Sequence, residues 1–287
     1  MKNFINKISN LISEKIGIAE IKRMIAMDRR LSIAKYLNDY LYQNPKYINS
    51  NRINRYEFSI HSQGGDDGII IEIFKRIGVT NKNFVEFGVG NGLQNNTVSL
   101  LLDGWSGLWF EGDLKNFKEV GKNLELLINQ KKLSLISALI TADNVESLFK
   151  ENNVKNDVDL LSVDIDGNDY WVWKAIKNFK PRVVVLEYNA GYGPDLAVVQ
   201  KYDKDYFWKR THFYGSSLNA LNKLAKEKGY SLVACCFSGN NAYFVRNDLI
   251  QDKFDKNLTV KDIFEEFKPF LFQNRKYSDK IIDTVQV

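Results

Sequence analysis

An acid followed by three glycines at alternate positions, Glu86-Phe87-Gly88-Val89-Gly90-Asn91-Gly92, is where this chain could do chemistry. Glycines at that spacing let a ligand approach the backbone more closely than any Cβ allows. A second acid, Glu111, closes the apolar stretch Gly107-Leu108-Trp109-Phe110. It stands about 20 residues past the turn, the distance from which a carboxylate can accept both hydroxyls of a ribose. A dinucleotide fingerprint would need a glycine at position 93, and Leu93 is there instead. Further on, Asp164-Ile165-Asp166-Gly167 and Glu187-Tyr188-Asn189 each follow an apolar run. Two strand ends therefore bring carboxylates to one edge. Asp164, Asp166, Glu187, Asn189 and His212 are the candidates for acid–base work. Asp166 leads them, either as the base itself or, with Asn189, as a hard-oxygen ligand set for Mg²⁺.

The elements that must position these groups read as an α/β alternation. Phe84–Phe87 is a buried parallel strand entering a tight turn, and Asn95-Asn96-Thr97 opens a helix to about Leu102. Gly107–Glu111, Leu133–Ile140, Val158–Val163 and Arg182–Leu186 are the next strands. Helices are expected over Ile69–Ile77, Phe117–Asn129, Tyr170–Asn178 and Leu218–Lys228, the last capped by Ser216 or Ser217 and closed by Gly229. Ser231–Phe237 and Ala242–Val245 flank Ser238-Gly239-Asn240-Asn241 as a hairpin. Residues 190–213 have no clean period and read as a lid. Apolar residues at helical spacing predict one helix over residues 4–30 and another over 31–41 that ends before Asn44-Pro45. A last helix, Val260–Phe267, is capped by Thr259. The domains expected are an N-terminal helical appendage (1–55), a catalytic domain (56–250) and a C-terminal helical extension (251–287).

The glycine turn resembles the first motif of class I S-adenosylmethionine-dependent methyltransferases. Ser62-Gln63-Gly64-Gly65-Asp66-Asp67-Gly68, Ser162-Val163-Asp164-Ile165-Asp166-Gly167 and Leu186-Glu187-Tyr188-Asn189 add a narrower resemblance to FkbM-type, surface-sugar O-methyltransferases. That resemblance implies a Rossmann-like fold: a seven-stranded, mostly parallel sheet with helices on both faces. It implies S-adenosylmethionine held by Gln63, Glu86, Gly88, Gly90, Gly92, Asn96, Glu111, Asp143 and Asp164. Asp143 would meet the adenine amino group, or cap the helix that follows. The amides of the helix opened by Asn95–Thr97 would face the cofactor's carboxylate. The acceptor implied is a sugar hydroxyl, free or nucleotide-activated. The alternatives are an NAD(P)-dependent sugar oxidoreductase and a nucleic-acid methyltransferase gripping phosphate with the basic arm.

Bulk properties narrow the field. The chain has 287 residues, 44% hydrophobic and 13% aromatic, enough to bury a sizeable core. Residues 1–55 hold eleven Lys/Arg against four Asp/Glu, while the whole chain carries only +5. This arm suits a membrane surface, a second copy of the chain or a solvated helix face. It lacks interleaved stacking aromatics, so no nucleic acid is expected. No transmembrane segment or signal-peptide core is read, and a cytoplasmic location follows as the expectation. Cys235 and Cys236 are adjacent within an apolar run, which predicts buried strand residues without a disulfide.

Overall fold

Runs of β-branched and aromatic residues that are apolar on both faces form strands buried on both sides. In the computed structural model these are β1 (Asn83–Phe87), β2 (Ser106–Glu111), β3 (Leu133–Ser137), β4 (Leu160–Val163) and β5 (Val183–Glu187), all parallel. A short strand, β6 (Val198–Gln200), stands outside this sheet. The hairpin β7 (Tyr230–Cys235) and β8 (Asn241–Arg246) completes it antiparallel, with β8 against β5. The sheet order is β3-β2-β1-β4-β5-β8-β7, and β6 pairs with β9 (Thr284–Gln286). The structure describes residues 17–49, 51–208 and 214–271, and the backbone of 284–286.

Alternate strand residues feed two cores, one on each face. Phe84, Trp109, Leu160, Val183 and Val185 pack with Ile69 and Ile73 of helix Asp66–Ile77. Val85, Phe87, Phe110, Leu161 and Val184 pack with Val172 and Trp173 of helix Asp169–Ala175 and Leu221 of helix Leu218–Lys228. Helices therefore cover both faces. This strand order, with its antiparallel strand between β5 and β7, is the Rossmann-like class I methyltransferase fold. The order reverses between β1 and β4, and open α/β sheets bind ligands at that switch, outside the carboxyl ends of the strands.

Several element boundaries differ from the sequence expectation. Among the described residues the N-terminal segment is one helix, Ile18–Leu37, running into a π-turn Asn38–Tyr42, with no break near residue 30. Pro45 begins a helix, Pro45–Ile48, because its missing N–H is no loss in a first turn; Asn44 caps it through Lys46 N. The helix expected at Phe117–Asn129 divides at Leu124 into Leu114–Asn123 and Glu125–Asn129. The last helix stops at Ile263, where Phe264 turns extended. The chain divides into two compact units, Met1–Asn49 and Ser50–Val287. No helix among the described residues is long and apolar enough to cross a membrane.

One buried ion pair ties the amino ends of the central strands. Asp159, fully buried just before β4, accepts from Thr80 N, Asn81 N and Lys82 N, which lead into β1. It also meets Arg182 Nη1 at 2.6 Å, just before β5. Arg182 in turn donates to the carbonyls of Gly78 and Ile77, which end helix Asp66–Ile77. Removing the carboxylate strands a buried guanidinium and three amides. Asp159→Ala is expected to cost about 3–5 kcal/mol of folding stability, the range for breaking a buried pair from one side. Urea unfolding of the two proteins measures it.

Candidate functional site

The glycine turn is shaped by what it approaches. Gly88 has φ +72°, and a Cβ there would lie 1.7 Å from the Asp164 carbonyl oxygen. Only glycine lets the ends of β1 and β4 come this close. Gly92 has φ +75° and packs on Trp109 and Val120, so its place is structural. Gly90, at φ +55°, has nothing within 4 Å of an added Cβ: its bare face looks into open space. Glu111 holds the turn from β2. Its Oε2 accepts from Gly90 N at 2.8 Å and its Oε1 from Asp113 N at 2.8 Å. Asn116 adds a side-chain donor to the same carboxylate. Burial raises the Glu111 pKa.

Glu86 is a structural knot beneath the turn. It is almost wholly buried and accepts from Asn95 Nδ2 at 2.7 Å, Asn96 N at 3.0 Å and Thr97 Oγ1 at 2.6 Å. Asn96 Nδ2 and Glu86 Oε1 both reach Ser162 Oγ of β4. Burial raises the Glu86 pKa, against the donors that lower it. The helix after the turn is only Val98–Leu102, and the Asn96 amide is committed to Glu86. The amide cradle for a carboxylate expected at Asn95–Thr97 is therefore not formed by Asn96. A cleft of about 120 Å³ lies over this knot, lined by Gln63, Asp66, Glu86, Gly88, Gly90, Asn96 and Asp164, with Asn240 and Asn241 from the hairpin.

Beside it, Asp164, Asp166 and Glu187 bring carboxylate oxygens within 4.8 Å of one another. Tyr214 Oη donates to Glu187 Oε1 at 3.0 Å. Asp166 sits at φ +56°, a backbone state that favours glycine. Asp169 brackets it, accepting from Ile165 N at 3.0 Å and Gly167 N at 2.9 Å. Asn189 is turned into its own loop: Oδ1 accepts from Gly191 N and Nδ2 donates to the Tyr214 carbonyl. Asp164, Asp166 and Glu187 thus form a hard-oxygen cluster at this edge, with Asn189 on the loop that follows Glu187. A second hollow of about 100 Å³, lined by Tyr188, Asn189, Tyr214, Phe267 and Asn240, adjoins this edge.

Other residues singled out from the sequence fall elsewhere. Asp143 accepts from Tyr202 Oη at 3.1 Å and is not among the residues lining the cleft. It caps nothing, because Asn144 is the N-cap residue, and Glu146 accepts from Lys177 N and Asn178 N instead of closing a capping box. Asp67 accepts from Ile60, His61 and Ser62 amides, which fixes the loop carrying Gln63. His212 lies outside the described residues. Sequence reasoning passed over Asp169, although it belongs to the same Asp-rich turn as Asp166. It also read Asn240 and Asn241 only as hairpin residues.

No family model and no curated protein matches this chain. Solved structures do resemble it. One is an S-adenosylmethionine-dependent methyltransferase from Clostridium acetobutylicum, with 13% identity over 62% of this chain and 89% of that one, TM-score 0.40. Another is the methyltransferase domain of bacterial CtHen1-C, with 14% identity over 64% and 97%, TM-score 0.41. A third, an O-methyltransferase family protein from Burkholderia thailandensis, has 8% identity over 63% and 57%, TM-score 0.38. The fold assignment rests on this chain's own strand order.

Asp169 makes a pH prediction. Burial pushes its pKa up to about 6, against about 3.9 in an unfolded chain. The folded state therefore favours the protonated form. Its stabilising contribution is complete below about pH 4 and is lost as pH rises through 6, a change of about 3 kcal/mol. Glu57, Asp66, Glu86 and Glu111, also raised by burial, act in the same direction. In urea titrations at pH 4, 5, 6 and 7, the fall in stability with pH is expected to be smaller in Asp169→Asn than in the wild type.

Proposed function

We propose that this protein is an S-adenosylmethionine-dependent O-methyltransferase acting on a sugar hydroxyl. The observation that carries the cofactor is the switch-point cleft, where the bare face of Gly90 is held open by a carboxylate from the next strand, Glu111. Glu111, which accepts from Gly90 N, takes the ribose hydroxyls, and the cleft between Gly88, Gly90, Asp164 and the hairpin takes the amino-acid end. The sugar acceptor is supported by the resemblance of the Gln63–Gly68, Asp164–Gly167 and Glu187–Asn189 stretches to FkbM-type enzymes. The hollow beside Glu187, walled by Tyr188, Tyr214 and Phe267, suits the apolar face of a ring.

The reaction is an in-line displacement. As the acceptor oxygen bonds the methyl carbon, the carbon–sulfur bond breaks, and its electron pair stays on sulfur as a neutral thioether. The protein's part is to align the two within about 3–3.5 Å and to remove the hydroxyl proton. Asp166 takes that proton. Its backbone is fixed by Asp169, and it faces the strand-end carboxylates Asp164 and Glu187. If the enzyme uses Mg²⁺, these three carboxylates are fitting hard-oxygen donors. Such an ion lowers the pKa of a bound hydroxyl.

Calorimetry with S-adenosylhomocysteine and with NAD⁺ separates the cofactor readings: the first is expected to bind and the second not. Glu111→Ala should weaken S-adenosylhomocysteine by about 1.5–3 kcal/mol, the worth of hydrogen bonds to a charged group. Gly90→Val should abolish binding. A mass-spectrometric screen of sugar nucleotides with S-adenosylmethionine identifies the acceptor.

On the acceptor so found, Asp166→Asn is expected to lower turnover by about 10²–10⁴-fold with affinity for the uncharged-sulfur product S-adenosylhomocysteine little changed. Turnover that survives a chelator excludes the metal. Near-normal turnover in Asp166→Asn would exclude Asp166 from both roles.

A further inference from the structure

The cleft contains acceptor oxygens that nothing in the protein satisfies. Asp66 is 1% exposed and Asn241 is 3% exposed, and both line it. Asp66 Oδ1 accepts from Asn241 Nδ2 at 2.8 Å and from Tyr243 Oη. Both donors are neutral, and Asp66 Oδ2 has no partner at all. Because Asn241 points its NH₂ at that carboxylate, its Oδ1 faces the other way, also without a partner. Asn95 repeats the arrangement: its Nδ2 donates to Glu86 Oε2 at 2.7 Å, and its buried Oδ1 has no partner. The two carboxylates thus fix both amide orientations, and three acceptors without donors belong to one cleft. Each unsatisfied buried oxygen costs about 1–3 kcal/mol, so such a cluster is retained only for a ligand that answers it.

We propose that Asp66 and Asn241, with Asn95 beside them, form the seat for the primary ammonium group at the amino-acid end of the cofactor. The chemistry of the lining selects that group. An ammonium carries three N–H donors and one positive charge, whereas a hydroxyl offers one proton. A carboxylate or phosphate placed at the unpartnered Asp66 oxygen would be repelled by that carboxylate, so an anionic group of the ligand must lie away from this seat. One formal charge among the three unsatisfied oxygens suits a monovalent cation better than Mg²⁺, which demands near-octahedral oxygen ligation. Burial raises the Asp66 pKa and the neighbouring Asp67 adds to it; a bound cation opposes both. The seat joins helix Asp66–Ile77 to strand β8, so it also explains why the last hairpin turn lines a cleft otherwise built by β1 and β4. The inference rests on the cofactor reading above.

Three ligands test it by calorimetry: S-adenosylhomocysteine, its analogue with hydrogen in place of the α-amino group, and 5′-methylthioadenosine, which lacks the amino-acid end. On the wild type, loss of the amino group is expected to weaken binding about 10- to 100-fold, the scale of one charge-assisted hydrogen bond. Asp66→Asn should weaken S-adenosylhomocysteine by a similar factor and leave the deaminated analogue and methylthioadenosine within about twofold. Asn241→Ala should act in the same direction, and it carries the test if thermal melts show Asp66→Asn to be unfolded. Equal affinity of the wild type for the amino and deaminated ligands overturns the seat. So does S-adenosylhomocysteine binding that neither variant changes. A folded wild type that binds none of the three overturns the cofactor reading and the seat with it.

Discussion

The approach of β1 to β4 at Gly88 is the constraint on which the rest of the site depends. A Cβ there would stand 1.7 Å from the Asp164 carbonyl oxygen, so any other residue pushes the two strand ends apart. These are the two strands between which the sheet order reverses. Their separation sets the width of the crevice, and much of its floor is carried by something anchored to one of them. Glu86 projects from β1 and ties the loop Asn95–Thr97 to Ser162 on β4. Glu111 holds Gly90 from β2. Asp169 holds the Asp166 turn just after β4.

The means of anchoring is the same in each case: a buried carboxylate accepting backbone amides or neutral side-chain donors. Asp159, at the opposite end of the strands, is instead paired with an arginine. Burying a carboxylate is costly unless its oxygens are hydrogen-bonded, and amide donors recover much of that cost while leaving the charge uncompensated. That is why Glu86, Glu111 and Asp169 have pKa values raised by burial although each receives hydrogen bonds. A lysine or arginine paired with these carboxylates would neutralise the crevice. The arrangement leaves a cleft lined with negative groups at the carboxyl ends of the strands, which is a property of a binding site and not of a core.

How much of this could be read from the sequence follows from how local each interaction is. The glycine turn and the seven strands of the main sheet rest on contiguous patterns, and each is found close to where the sequence puts it. Ser217 caps helix Leu218–Lys228 and Gly229 closes it, because caps are local chemistry. Asn96, Asn189 and Asp143 have the right residue types for the roles the sequence suggests. Yet their side chains bond to Ser162, the Tyr214 carbonyl and Tyr202, partners 25 to 66 residues away in the chain. No local pattern reports such partners. Asp66 and Asn241 show the same limit more strongly, since they meet across 175 residues.

The charge of the crevice also bears on the chemistry proposed for it. The sulfonium of S-adenosylmethionine is a cation, and methyl transfer removes that charge from sulfur. The carboxylates Asp164, Asp166 and Glu187, clustered where Asp164 borders the cleft, hold the charged reactant more strongly than the neutral thioether product, which favours exchange after turnover. Taken alone, the same field would oppose the reaction, because it stabilises a charge that the transition state disperses. Proton transfer resolves the conflict. As positive charge leaves sulfur, the acceptor's proton arrives on Asp166, so positive charge moves within the site and is not lost from it. The carboxylates then stabilise both ends of that movement. On this reading the base must lie inside the same acidic cluster, and Asp166, half-buried and flanked by Ile165 and Gly167, whose amides donate to Asp169, occupies that position.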